Sequence, residues 1–310
     1  TGFIAEKKIN EARTWSLGLL QMDFFYRPKH WYAGQFVRKI IPRIKLTKKS
    51  IFYFTTLLNK QKNNLLSVLV RDVDKIFINT IVDLPTNNGQ IDFDFIDSFI
   101  AEIEAIDNRK LQNYLSATGL KDFTLTSEEK QVLIDFKEEK IEWDEFTYNS
   151  IFNKITQGKR LKKDDQIAGR IPFVMAGVTN AGVADYISNP VASFPKNSIT
   201  IDIFGNTFYR NYAFGAGDDT GVYWNTKKNY SKETMLFFST SMQKSISGKF
   251  DFGNKLRSSQ SLKFTMKLPT QNQQPNFKIM ESLVSAIQKL VIKDIVLYAI
   301  GNTNETLEKT

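Results

Sequence analysis

Basic side chains gathered in a few short stretches are the most chemically suggestive feature of this sequence. Arg38, Lys39, Arg43, Lys45, Lys48 and Lys49 form one run without an acid. Lys154, Lys159, Arg160, Lys162 and Lys163 form a second, and Lys249, Lys255, Arg257, Lys263 and Lys267 a third. The 310-residue chain carries 42 Lys and Arg against 33 Asp and Glu, a formal charge of +9. Any one run reads by default as a solvated face. Three of them, with the acids collected elsewhere, fit contacts to phosphate. Reading base edges needs paired donors or acceptors on loops or hairpins. Lys159, Arg160, Asn180, Arg210, Asn211, Asp218 and Asp219 stand near turn signals and are the candidates, with Lys162 and Lys163 beside them. Earlier in the chain the corresponding region offers Arg27, Lys29, His30 and Gln35, next to Arg38 and Lys39. A plain surface-loop role is the alternative for each.

Catalytic readings find little support. His30 is the single histidine and there is no cysteine, so disulfides, thiolate sites and multi-histidine metal sites are excluded. His30 as a general base lacks an evident nucleophile. Asn189-Pro190-Val191 only begins like the Asn/Asp-Pro-Pro-aromatic motif that holds a flipped base. Asp135, Glu138 and Lys140 have the spacing of a metal-nuclease motif, but on a charged helical segment without the strand such a site uses. Gly215-Ala216-Gly217 starts a phosphate-binding glycine pattern that Thr220 breaks, and a tight hairpin explains it better. Gly177 and Gly182 flank a loop where freedom at positive φ is reason enough for them. No catalytic residue, metal or cofactor is expected. The absence of cysteine, of a signal-like start and of an apolar run of about 18 residues predicts a cytoplasmic chain that does not enter a membrane.

The elements that must position these residues occur twice. Phe25-Tyr26-Arg27 returns as Phe208-Tyr209-Arg210, and Ala33-Gly34 as Ala216-Gly217. Gly2-Phe3-Ile4-Ala5 corresponds to Asp185-Tyr186-Ile187-Ser188 at the same offset of 183. One residue further apart, Lys48 matches Lys232, Tyr53-Phe54-Thr55-Thr56 matches Phe237-Phe238-Ser239-Thr240, and Leu84-Pro85-Thr86 matches Leu268-Pro269-Thr270. Phe93 matches Phe277, and Tyr114 matches Tyr298. An ordered series of this length is a tandem duplication. Each copy opens with alternating apolar residues (Trp15, Leu17, Leu19; Ile199, Ile201, Ile203) that predict strands and hairpins. Tyr26 and Tyr209 could stack or contact phosphate, but their strand-like segments favour a core or cross-strand role, and Phe24, Phe25 and Phe208 read as core. A short helix follows over about 48–59 and 232–243. A Leu-Pro strand end and a polar turn then lead to a longer helix, 92–115 and 276–299. Its apolar stripe is Phe93, Ile96, Ile100 and Ile103 in one copy, and Phe277, Met280, Val284 and Ile287 in the other. Leu283, Leu290 and Leu297 widen the second stripe, for which the equivalent helix of the first copy is the expected partner. Between the copies lies an acidic connector, where Thr126 and Glu129 have capping-box spacing ahead of Val132, Leu133 and Phe136. Residues 143–183 have no counterpart in the first copy. The sequence is therefore a fragment, or the protein continues N-terminally.

The second copy also carries an ordered set of motifs. Trp143, Phe146, Ile151-Phe152, Ile155 and Gly158-Lys159 are followed by Gly169-Arg170-Ile171-Pro172-Phe173-Val174. Thr179-Asn180-Ala181-Gly182-Val183 and Tyr186-Ile187-Ser188 complete it. This arrangement resembles the target-recognition domain of the specificity subunit of type I restriction-modification systems, and is similar to related type IIB and IIG proteins. The resemblance covers 143–300 and, through the duplication, 1–115. It implies an α+β fold: a tandem duplication of a β-rich target-recognition domain, each followed by a long helix, the helices packing as an antiparallel coiled-coil-like spacer. The segments are a first recognition domain over 1–91, lacking its beginning, a helical spacer and connector over 92–142, a second recognition domain over 143–275 and a C-terminal helix over 276–310.

By the same resemblance, each module reads one half of a bipartite site in double-stranded DNA. Methyltransferase subunits dock on the helices and through them an endonuclease subunit, so the chain itself is not an enzyme. The alternative is the C-terminal recognition part of a fused type IIG restriction-methyltransferase. A third reading is an orphan two-module nucleic-acid binder.

Overall fold

The computed structural model describes residues 9–189, 191 and 193–307, the stretch 302–307 as helical backbone alone. Gly2 to Ala5, whose match helped define the repeat, lie outside the described residues, as does Pro190. Contacts along the backbone group the chain into two compact units, 1–117 with 298–310, and 118–297.

In the first unit come β1 (Ile9–Asn10), β2 (Thr14–Gly18), β3 (Asp23–Arg27), β4 (Trp31–Tyr32) and β5 (Val37–Ile40). β2 lies between β3 and β5, antiparallel to both, and β1 pairs with β4. The helices α1 (Lys48–Lys60), α2 (Lys62–Leu66) and α3 (Val73–Asn79) follow, then the hairpin of β6 (Thr86–Asn87) and β7 (Gln90–Ile91), and α4 (Phe93–Ala117). Trp15, Leu17, Leu19, Met22 and Phe24 meet Leu65 and Val73 in one core. α1 is tied to the sheet by its polar side chains. Trp15 Nε1 donates to Thr55 Oγ1 at 2.8 Å, and the Asn59 amide satisfies both backbone groups of Phe24. The predicted alternation of β2 is absent, since Thr14 and Ser16 are as buried as Trp15 and Leu17. Their hydroxyls are accommodated because each has a bond, Thr14 to Glu11 O and Ser16 to Phe25 O.

The second unit holds α5 (Ser127–Lys137), β8 (Trp143–Thr147), α6 (Tyr148–Ile151), β9 (Lys154–Gln157), β10 (Ala168–Val174), β11 (Val183–Ile187), β12 (Ser193–Phe194) and β13 (Ser198–Asp202). It continues with β14 (Thr207–Arg210), β15 (Phe214–Ala216), β16 (Thr220–Trp224), α7 (Lys232–Ile246), β17 (Thr265–Gln271), β18 (Gln274–Pro275) and α8 (Phe277–Leu307), whose end from Tyr298 groups with the first unit. One antiparallel sheet has the order β14-β13-β16-β9 and packs Ile199, Ile201 and Tyr223 against Phe238 and Met242 of α7. A second sheet, β11-β10-β15-β12, has a parallel β10–β15 pair. β17 joins β8 in register from Thr265↔Thr147 to Pro269↔Trp143.

The duplication is visible in the elements. The sheet β3-β2-β5 corresponds to β14-β13-β16, α1 to α7 and α4 to α8; β9 and β10 belong to the stretch without a counterpart. The cross-strand expectation holds, with Tyr26 opposite Trp15 and Tyr209 opposite Ile199. β13 stops at Asp202, short of Ile203, because the Asp202 carboxylate takes the amides of Phe204 and Asn206 and turns the chain. Gly215 and Ala216 are not a hairpin. They form a strand beside Phe173 and Val174, and the turn lies at 217–219. Leu283 packs with Val132 and Ile141 from the connector.

Candidate nucleic-acid interface

The basic loop of the second module starts at Gly158, where two chain segments almost touch. A Cβ there would stand 2.2 Å from the Gly217 carbonyl oxygen, so only glycine fits. The amides of Gly158 and Lys159 donate to Thr220 O and Ala216 O, at 2.9 and 2.8 Å. From this fixed point the chain presents exposed Lys159, Arg160, Lys162 and Lys163, the last in a 3-10 turn over Lys163–Asp165. Asn189 closes the loop. Its Oδ1 accepts from the Ile167 amide at 2.7 Å and its Nδ2 donates to Asp165 O at 2.8 Å. Asn189 therefore serves as a loop pin.

A second loop, 175–182, is held from beneath by two acids. Asp202 Oδ2 accepts the Gly177 amide and Asp219 Oδ2 the Ala176 amide, both at 2.9 Å. Asn180 and Ala181 turn the chain in the left-handed region, at φ of 48° and 51°. Gly182 follows at φ 78°, where an added Cβ would meet Met175 O at 2.8 Å. The third element is the 217–219 turn. The Asp218 carbonyl accepts from Gln157 Nε2 at 3.0 Å and from Arg257 Nη1 at 2.7 Å. These loops enclose a cleft of about 520 Å³ whose lining includes Arg160, Lys162, Lys163, Gln166, Asp185 and Asp218. Guanidinium and ammonium donors thus stand beside carboxylate acceptors, the mixture that base edges require.

Two candidates leave the set. Arg210 is 2% exposed at the end of β14, so it cannot reach a base. Its Nε donates to Thr200 Oγ1 at 3.0 Å, Nη1 to the Tyr212 hydroxyl at 3.2 Å and Nη2 to Ala181 O at 2.7 Å, while the group lies over the Phe208 and Phe214 rings. Burial lowers its pKa, and the Tyr212 bond works against that. Arg210 is a strut under the 179–182 turn. Asp219 is likewise committed, its two oxygens taking the Ala176 amide and the Thr220 hydroxyl. Asn180 and Asn211 stay exposed on turns.

In the first module Lys29, His30, Gln35 and Lys39 are exposed, the first two in the bend after β3 and Gln35 in the turn before β5. Arg38 is paired with Asp74 through Nε at 3.0 Å, which leaves it less free than a bare surface cation. Arg27, the counterpart of Arg210, makes the matching bond to Ser16 Oγ at 2.9 Å and lies over Phe25 and Trp31. It is exposed, and the 179–182 turn whose Ala181 carbonyl takes the Arg210 bond belongs to the stretch without a counterpart in this copy. Phe25 is exposed with it, against the expectation of a core residue.

Three residues of the loop cluster were not evident from the sequence. Gln157, Asn189 and Asp202 act on backbone groups across loops, which leaves no mark in spacing. Phe252, 80% exposed under Lys255 Nζ at 4.3 Å, offers a ring for stacking inside the third basic run. Among the described residues no group of three or more His, Cys, Asp or Glu could hold a metal ion, and no helix is long and apolar enough to cross a membrane. Asp135 lies on α5 and accepts from Gln131 Nε2, while Lys140 pairs with Glu138.

Comparison with known proteins identifies the family of the two copies. The sequence model of the type I restriction modification DNA specificity domain matches residues 2–113 and 140–296, one match for each copy. The chain is 25% identical over 281 residues to the type II restriction enzyme BgcI specificity subunit S.BcgI of Heyndrickxia coagulans, covering 86% of this chain and 75% of that one. The crystal structure of the type I restriction-modification system S subunit from M. genitalium has the same fold, with a TM-score of 0.56 at 15% identity, over 97% of this chain and 82% of the other. With both copies matched, the chain belongs to the family of type I restriction modification DNA specificity domains, and is a specificity subunit of a restriction-modification system.

Proposed function

We propose that each module reads one half of a bipartite site in duplex DNA, and that the long helices α4 and α8 recruit methyltransferase subunits and, through them, an endonuclease subunit. The observation that carries the reading is the loop cluster of the second module, where Lys159, Arg160, Lys162 and Lys163 border a cleft that also holds Asp185 and Asp218. Cations neutralise phosphates and set the register, while the mixed donors and acceptors discriminate base pairs. In the first module Lys29, His30, Gln35 and Lys39 take the reading role, with Arg27 held against Phe25 and Trp31. Methyl transfer and strand cleavage then belong to the partner subunits, in the cytoplasm where the chromosome lies.

Methylome sequencing of a host with and without this gene tests the proposal. One bipartite motif, two short specified halves around an unspecified spacer, should lose its methylation when the gene is removed. An unchanged methylome would refute it.

A further inference from the structure

Each module carries a polar joint that the recognition loops do not use. Thr47 caps α1, its hydroxyl oxygen accepting the Ser50 amide at 3.0 Å. The Thr47 and Ser50 hydroxyls both donate to Asp97 Oδ1 of α4, each at 2.7 Å. Ser231 caps α7 in the same way over Thr234. The Ser231 and Thr234 hydroxyls donate to Glu281 Oε1 of α8, at 2.6 and 3.2 Å. All three positions are related by the offset of the duplication, yet every residue type has changed: Thr, Ser and Asp in one copy, Ser, Thr and Glu in the other. An aromatic pair at the same offset supplies a second point of contact, Phe54 with Phe93 at 6.5 Å and Phe238 with Phe277 at 6.4 Å.

A cap needs only to accept a backbone amide. Donating its own proton to a carboxylate on the long helix adds a charge-assisted bond that capping does not require. Ser50 and Thr234 are almost wholly enclosed, so their hydroxyls have that carboxylate as the partner that burial demands. Hydrogen bonds at one end and packed rings one turn on resist both sliding and rotation of the short helix on the long one.

The geometry points to a positioning joint: Thr47, Ser50 and Asp97, and likewise Ser231, Thr234 and Glu281, fix each module to its own long helix and so set the number of base pairs between the half-sites. This inference rests on the two-half reading proposed above. A step of one base pair moves a half-site by about 3.4 Å along the duplex and by about a tenth of a turn around it. A module that follows it must both slide and rotate on its long helix, the two motions that the joint resists.

The test is methylome sequencing of a host carrying the whole system with Asp97→Ala, Glu281→Ala, or the first joint rebuilt as the second (Thr47→Ser, Ser50→Thr, Asp97→Glu). The alanine variants should methylate the same two half-site sequences at spacers one base pair longer or shorter, at least tenfold above the wild-type ratio. The rebuilt joint should keep the wild-type spacing. Methylation that falls at every site without new spacers would assign the trio to stability alone and overturn the inference, as would unaltered spacing at unaltered level. If the alanine variants do not accumulate, Asp97→Asn and Glu281→Gln keep the volume, and the same off-register spacers at lower level are expected; their absence overturns it equally. A wild-type host with no gene-dependent bipartite motif is a separate outcome, which sinks the proposed function together with the inference.

Discussion

Arg27 and Arg210 occupy the same place in the repeated sequence and make the same bond to a hydroxyl of the neighbouring strand, yet one faces solvent and the other is a buried strut. Their side chains were legible as potential readers, but the Ala181 carbonyl that Arg210 holds lies on the 179–182 turn, 29 residues away in the sequence. Spacing cannot report a contact of that kind. Truncating Arg210 strands the Ala181 carbonyl and two hydroxyls, and hydrogen bonds to charged groups are worth about 1.5–3 kcal/mol each. Arg210→Ala should therefore destabilise the second unit by about 3 kcal/mol in urea unfolding, against less than about 1 kcal/mol for Arg27→Ala, whose bond is open to water. The opposite ranking would remove the strut assignment. Lys162 and Lys163 belong to the other class, exposed and without an ion pair among the described residues. Replacing both with alanine should leave stability within about 0.5 kcal/mol. The same change should flatten the plot of log affinity for duplex DNA against log salt by about 0.9 for each phosphate no longer neutralised. A slope equal to that of the wild type would place these lysines off the DNA.

At the scale of elements the reading succeeded where the signal was local. The apolar patterns located α1, α7 and the two long helices, and Thr126 with Glu129 forms the full capping box of α5. What sequence spacing did not carry was the seat of that helix. Glu129 is buried against α8, where Ser285 Oγ donates to it at 2.6 Å and Lys289 Nζ at 2.9 Å, so a residue chosen for local capping is also a tertiary anchor. Desolvation by itself would raise the Glu129 pKa. The bonds from Ser285, the Thr126 amide and Lys289 outweigh it and hold the carboxyl at about 2, against 4.5 in a free chain. A depressed acid stabilises the fold wherever the unfolded chain is already ionised. Its contribution is complete above about pH 4.5 and is lost as pH falls toward 2. Urea midpoints of the second unit should accordingly decline across that window, and Glu129→Gln should be less stable at neutral pH with a shallower decline. A variant that followed the wild-type pH profile in parallel would show that Glu129 does not carry the linkage.

For the molecule as a whole, the tandem repeat was legible because it is a property of order, which survives even where residue types have drifted. The closure of each module was not, since pairing between distant strands follows from the fold and not from periodicity. β8 opens the second module and β17 nearly closes it, and the two are neighbours paired over five residues. The chain thus enters and leaves the module at adjacent points, so exchanging residues 143–275 cuts at two places side by side and carries β8, β17 and the loops between them intact. Replacing this segment with the corresponding one of another family member should change one half of the methylated motif. The other half should stay, because the first module lies outside the exchanged segment, and the spacer should stay where the incoming segment keeps hydroxyls at the positions of Ser231 and Thr234, which bond to Glu281 of α8. Methylome sequencing reads all three quantities in one experiment. Changes in both halves would mean that the two modules read the site as a single surface, and the modular account would fail.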